Sequence, residues 1–389
     1  MSDQGDVPAL LYVAIGPRLV PHVADAAAMV LEALPGVSLP AAVQYAWFHP
    51  RLPLLYAAYS NRAVPGGDDT HGVAAFRIDP RDGTLAPFGP PVPLDNRPIH
   101  VTLDPQGHWL LLTCNSPAQV VVHRLQPDGA IGPVVVQGAD MRLGSYPHQA
   151  RVLPGGGQVV VSCRGSDATA DRPADPGALV LLDLADGRLT WRQAVTEGDG
   201  LLFGPRHVDL HPTRPWMYVS LERGNRLLAY GPGAPAAFAA ADTVPDGAGR
   251  LAPEQYAGAV HVHPGGRHVY VANRSDGTVP FQGTMVHGEG QNSIACFAID
   301  PDTGVPGLRE VVDTRGIHCR SFAIHPGGGM LVAGSVAPLA VRRDDAVQVV
   351  AAGLSVFAVS GEGCLSFQCK YDTAPEAGAV FWCGFRPAE

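Results

Sequence analysis

Lysine is almost missing from this chain: of 27 basic residues, Lys370 alone is a lysine, so Schiff-base chemistry or a lysine base would fall on that one residue. The remaining basic residues are arginines, whose planar donor forks suit carboxylates and phosphates. No basic cluster is present and the net charge is -9. Phosphate binding needs a positive stripe, so a nucleic-acid partner is excluded. No apolar run approaches the roughly 20 residues of a membrane helix, and the one near the N-terminus, ALLYVAIG, stops at Gly16-Pro17. No membrane partner is expected, and the chain reads as soluble and cytoplasmic. The seven cysteines (Cys114, Cys163, Cys296, Cys319, Cys364, Cys369 and Cys383) form neither a CxxC pair nor a CxxCH motif. They read as reduced thiols in strands. A GxSxG elbow and a Gly-rich phosphate loop are also lacking, which removes support for a serine hydrolase or a nucleotide cofactor. No cofactor and no metal are expected.

What is abundant is apolar residues, 46% of the chain, broken up by 46 glycines and 37 prolines. Six times a short apolar run meets a tight Pro-containing turn and leaves as a second run: FHPRLPLLYAAYS, LDPQGHWLLLTCN, VLPGGGQVVVSCR, LHPTRPWMYVSLE, VHPGGRHVYVANR and IHPGGGMLVAGSV. The turn prolines (Pro50, Pro105, Pro154, Pro212, Pro264 and Pro326) recur at roughly 50 to 60 residues, close to one four-stranded propeller blade with loop insertions. Six four-stranded meanders run from about Gln44 to Ser366. A strand-like run at each terminus, ALLYVAIG and AVFWCGF, is left over to make a seventh, mixed blade. The expectation is an all-β, seven-bladed propeller over 1–389, a single domain with 1–43 and 364–389 contributing to the closing blade. The stretch Pro17 to Pro40 is read as strand, and Arg164 to Ala178, Gly231 to Tyr256 and Thr278 to Gln291 as loop insertions over one face.

If the strand before each turn is innermost in its blade, its first residues and the last residues of the next strand lie at the same end of the propeller. Two columns then face one pocket. The first holds Gln44, His100, His148, Arg206 with His207, and Arg320, with only Gly258 and Ala259 in the fifth unit. The second holds Ser60, Asn115, Arg164, Glu222, Arg274 and Val336. Arginines and histidines therefore gather around one carboxylate at a channel mouth, a place for an anionic ligand.

The runs SYPHQARVLPGGG, FGPRHVDLHPTRPWMYVSLERGN, YVANRSDG followed by NSIACFAIDPDTG, and RSFAIHPGG resemble the signature segments of the seven-bladed β-propeller lactonase family. That family includes bacterial 6-phosphogluconolactonases and the fungal carboxy-cis,cis-muconate cyclase. The resemblance implies a site of His148, Arg206, His207, Glu222, Arg274 and Arg320, all within the two columns. Glu222, His148, Arg206 and Arg274 are the expected catalytic set; His207, Arg320, His100, Arg164 and Asn273 are the expected substrate-binding set. The chain departs from the family where SDGTVPFQGTMVHGEGQ separates the NR element from the SIA strand, which alters the pocket rim.

Opening a lactone requires an activated water, a donor for the oxyanion and a proton for the departing alkoxide. Glu222 or His148 can take the water proton, Arg206 or Arg274 can bind the oxyanion, and another arginine can hold a substrate carboxylate or phosphate. A cycloisomerase would use nearly the same parts, and a propeller that only binds a small anion, or serves as a scaffold, would share the fold. Against these stand plainer readings. His49, His211, His263 and His325 precede turn prolines and read as structural. His261 and His263 lack a third ligand at a suitable spacing for a metal. Channel arginines can simply tie blades together, and Glu222 can be no more than their ion-pair partner.

Overall fold

The computed structural model describes residues 9–61, 69–201, 203–231, 234, 236–244 and 254–387. Its innermost strands are Val43–Phe48, Pro98–Leu103, Pro147–Val152, Pro205–Leu210, Tyr256–Val262, Cys319–Ile324 and Val380–Phe385. Each packs beside the next, and the last beside the first, so seven blades close a ring around a central channel. Every blade is an antiparallel meander from the channel outward, for example Pro147–Val152, Gln158–Cys163, Ala178–Ala185 and Arg188–Val195 in the third. The second strands are apolar on both faces because each sheet is covered by two neighbouring blades; all seven residues of Leu54–Ser60 are buried.

The seventh blade has Val380–Phe385 innermost, followed by Ala9–Ile15, Arg18–Asp25 and Val30–Ala33. Tyr12 pairs with Gly384 and Val13 with Cys383, so the two ends of the chain share one sheet. The stretch Pro17 to Pro40 is indeed strand, including Val37–Ser38. Of 364–389, however, only Val380–Phe385 enters the closing blade. Leu365–Asp372 is the outermost strand of the sixth, pairing along Gly353–Val359. Two insertions also differ from loops. Gly231 to Tyr256 contains Ala239–Asp242, the outer strand of the fourth blade, while 245–253 lies outside the described residues. Thr278 to Gln291 contains a hairpin, Thr278–Phe281 with Thr284–His287. A second hairpin, Leu339–Arg343 with Ala346–Val350, rises beside it; Gln282 Nε2 donates to Asp345 O at 3.2 Å, and Arg342 stacks on Phe281. The first hairpin has four residues a side and lies among Gly277, Gly283, Gly288 and Gly290, which is why that stretch reads as a loop.

Neighbouring blades are stitched by two recurring contacts. A buried second-strand tyrosine donates its hydroxyl to a turn carbonyl of the next blade: Tyr12 to Gly83, Tyr56 to Gly129, Tyr218 to Gly304 and Tyr270 to Gly363, at 2.6–2.9 Å. At the inner turns, His211 and His263 accept backbone N–H groups on Nδ1 and place Nε2 at 2.8 and 3.0 Å from the carbonyls of Gly266 and Gly328 in the next blade. His49 and His325 accept on Nδ1 in the same way. Gly266 and Gly328 have φ of +70° and +79°, and a Cβ there would meet the stapling imidazole at 2.7 and 2.5 Å. The turn histidines are thus structural, each committed to its own turn.

Candidate active site

The site forms where the inner strands begin and the second strands end. In all seven inner strands the register slips near the first residue: between Val43 and Tyr45, Pro98 and His100, Pro147 and Gln149, Pro205 and His207, Ala257 and Val260, Cys319 and Ser321, and Val380 and Trp382. Each slip is a bulge, and a bulge lets one extra residue depart from the alternation of the pleat. The extra residues include Gln44, His148, Arg206 and Arg320. In the second blade the bulged residue is Ile99, so His100 falls one position further along the strand.

Glu222, at the end of Met217–Leu221, is the hub. Its Oε1 accepts from Arg206 Nη1 at 2.7 Å and from Arg274, and its Oε2 accepts from Arg164 Nη1 at 3.0 Å. Glu222, Arg206 and Arg274 are 3–5% exposed. Burial alone would raise the carboxyl pKa, but three guanidiniums overcome it and hold Glu222 at about 2. Arg206 falls to about 9, driven first by burial and then by Arg274. Arg164 stays fully charged, its burial being outweighed by Glu222.

Beside this hub lie His148 and His207, with ring centroids 5.1 Å apart. Burial, then Arg206, keeps both imidazoles well below their usual range, and Arg320 adds to the effect. Both are therefore neutral near pH 7, and His148 Nδ1 has no hydrogen-bond partner among the described residues. Arg320 stacks on Phe381 at 3.9 Å, Arg164 on Tyr146 at 4.3 Å and Arg274 on Tyr256 at 5.7 Å.

The structure therefore brings together Arg164, Arg206, Glu222, Arg274, His148, His207 and Arg320. Two expected binding residues stand apart from the arginine hub: His100 lies behind His207, 6.3 Å between ring centroids, and Asn273 faces away. His100 is wholly buried against Tyr45, 4.1 Å between centroids, with its Nε2 3.2 Å from Gln149 Nε2. Asn273 points to the opposite face of its strand from Arg274 and donates to Thr243 O and Ser293 Oγ, joining the fourth and fifth blades. Strand alternation separates Asn273 from Arg274, and His100, like His207, follows the bulged position of its strand, which in the second blade is the apolar Ile99.

Four residues escaped the column count. Tyr146 and Tyr256 support arginines, and His318 accepts from Arg274 Nη1 on Nε2 at 2.7 Å, while its Nδ1 lies 2.7 Å from Asp276 Oδ2. Tyr146 and His318 each immediately precede an inner strand and have φ of +57° and +55°, a left-handed conformation that costs about 1–3 kcal/mol in a non-glycine residue and recurs at functional sites. His261 and His263 diverge: His261 faces Asp209 and Phe322, while His263 is held in its turn.

A ring of antiparallel four-stranded blades closed by both chain ends, with an arginine and histidine cluster at one mouth, defines a seven-bladed β-propeller. Residues 22–352 match the family described as lactonase, 7-bladed beta-propeller, and the chain belongs to that family. It is 29% identical over 282 residues to the 6-phosphogluconolactonase of Bacillus subtilis (strain 168), covering 70% of this chain and 72% of that protein. Two solved structures share the fold. A Bacteroides uniformis ATCC 8492 protein, described as a candidate 6-phosphogluconolactonase, has a TM-score of 0.73 and 18% identity, covering 97% of this chain and 99% of that one. The periplasmic gluconolactonase PpgL of Pseudomonas aeruginosa has a TM-score of 0.70 and 20% identity, covering 94% and 97%.

Proposed function

We propose that this protein hydrolyses a small anionic lactone of the sugar-acid or phosphosugar class. One observation carries the reading: three guanidiniums, of Arg164, Arg206 and Arg274, converge on the single carboxylate of Glu222, which gathers positive charge at the channel mouth. An anionic substrate group supplies the missing charge, and aromatic backing holds the arginine planes ready for it.

Glu222 is the organiser of the arginines and not the base. Both its oxygens are occupied, and a carboxylate at about 2 is a weak proton acceptor near pH 7. The neutral His148 is the better base. It takes a proton as water attacks the lactone carbonyl, and Arg206 and Arg274 hold the resulting oxyanion. As the ring C–O bond breaks, the imidazolium returns that proton to the departing alkoxide, giving the hydroxy acid. Arg320 and Arg164 hold the substrate's own anion. A cytoplasmic setting fits the free state of all seven cysteines.

The test is acid release from sugar lactones, phosphosugar lactones and muconolactone-type acids near neutral pH, with wild type beside His148→Gln and Arg274→Ala. Turnover of an anionic lactone, abolished in both variants while the fold persists, supports the proposal. Turnover of neutral lactones alone, or ring closure of an unsaturated diacid instead of ring opening, overturns it.

A further inference from the structure

The insertion that sets this chain apart from the family pattern places Asp276 against His318, the imidazole that touches Arg274. We propose that Asp276 and His318 form a positioning relay that fixes Arg274 in its working orientation, a reading that rests on the lactonase proposal above. Arg274 is gripped at two points, one guanidinium nitrogen donating to Glu222 Oε1 and the other, Nη1, to His318 Nε2. An imidazole can accept from an arginine only if it is neutral and its single N–H sits on the other nitrogen. Asp276 Oδ2 lies 2.7 Å from Nδ1 without the alignment of a hydrogen bond, and its negative charge there favours the proton on Nδ1, the tautomer required.

The surroundings hold the pair in register. Asn292 Oδ1 accepts from both His318 N at 2.7 Å and Ser275 N at 3.1 Å, and its Nδ2 donates to Ser275 O at 2.9 Å. The loop carrying Asp276 and the left-handed residue His318 are therefore pinned to one side chain. Asp276 is itself half exposed, with a side-chain accessibility of 50%, so the relay has one wet end and its loss need not disturb the core. The charged groups around His318 are Arg274, Asp276 and Arg320. Protonation of His318 would put a second N–H against the Arg274 donor and release the guanidinium.

The variants are Asp276→Ala, Asp276→Asn, His318→Gln and His318→Ala, with two readouts: turnover of the phosphosugar lactone and stabilisation by inorganic phosphate in thermal melts. With Asp276→Ala we expect kcat/KM to fall about tenfold to a hundredfold, mostly in kcat, as a slightly misplaced donor does, with an unchanged melting temperature in the absence of phosphate. In Asp276→Asn the acid limb of kcat/KM moves to lower pH, because the group that favours the imidazolium is gone. His318→Gln keeps an acceptor for Arg274 and retains most activity; His318→Ala does not. Wild-type kcat/KM in Asp276→Ala, or equal losses in His318→Gln and His318→Ala, overturns the relay. If wild type opens no lactone, the lactonase proposal fails, and phosphate decides the relay alone: weaker phosphate stabilisation in Asp276→Ala supports it, and equal stabilisation refutes it.

Discussion

Replacing Glu222 by glutamine would expose what the carboxylate does. The substitution keeps the shape and removes the only negative charge that touches Arg164, Arg206 and Arg274 together. Glutamine can still offer one oxygen, but its NH2 then points donors at an arginine that is itself a donor. Removing one partner of a buried ion pair costs about 3–5 kcal/mol. At about 2.1 cal/mol/K of unfolding entropy per residue, 389 residues translate that cost into a drop of about 4–6 °C in melting temperature. The pH dependence follows from the depressed carboxyl. Its stabilisation is fully present above the unfolded value near 4.5 and is lost as pH falls toward about 2. The melting curves of wild type and variant should therefore converge in acid. Phosphate or citrate should rescue the variant more than wild type, since an anion can replace the lost charge, and saturation to about 100 times Kd adds about 2.7 kcal/mol. Differential scanning calorimetry from pH 3 to 7, with and without phosphate, reads all of this. A variant that melts with wild type at pH 7 and gains nothing extra from phosphate would refute the view of Glu222 as a buried charge hub.

Other substitutions separate chemistry from architecture. His148→Gln should lower kcat about 10²- to 10⁴-fold, the usual contribution of a general base, with little change in melting temperature; kcat within tenfold of wild type would assign the base elsewhere. Tyr218→Phe leaves the Gly304 carbonyl without its donor and should cost about 1–3 kcal/mol in urea unfolding with unchanged kcat/KM. An equal loss of activity would mean that blade stitching and site geometry are coupled. Burial holds His49 and His211 below their usual value, so their neutral forms stabilise the fold fully above about pH 6.5 and progressively less as pH falls. His211→Asn should flatten the decline of melting temperature between pH 7 and 5, and an unchanged slope would remove the staple from the acid response.

Most of the architecture is legible in the turns. A proline turn between two apolar runs, repeated six times, specifies a hairpin at the centre of each blade, and the leftover runs at the two ends can pair only with each other. The outer strands are harder. Ala239–Asp242 alternates in burial but reads AAAD, with no apolar–polar contrast to mark the period, and Leu365–Asp372 buries only Leu365, so both are assigned by register with their neighbours.

The site shows the same division one level down. Arg206, Glu222 and Arg274 could be found by counting from the turn proline because a hairpin places both ends of a strand pair at one rim. The count takes in His100 because it accepts five or six residues before the proline; the bulged rim position is the sixth, and in the second blade that residue is Ile99. The NR element, not the count, brings in Asn273 beside Arg274, although adjacent strand residues face opposite sides. The count misses Tyr146 and His318 because it stops six residues before the proline, whereas both lie eight before theirs, and their orientation is imposed by what surrounds them. For His318 that surrounding is Asn292, distant in sequence and fixed to the same loop as Asp276. Residues that reach the site through regular strands were thus open to inference from spacing. Those that reach it through loop backbone became visible only with the fold, and it is on those loops that a shared propeller has room to vary its choice of substrate.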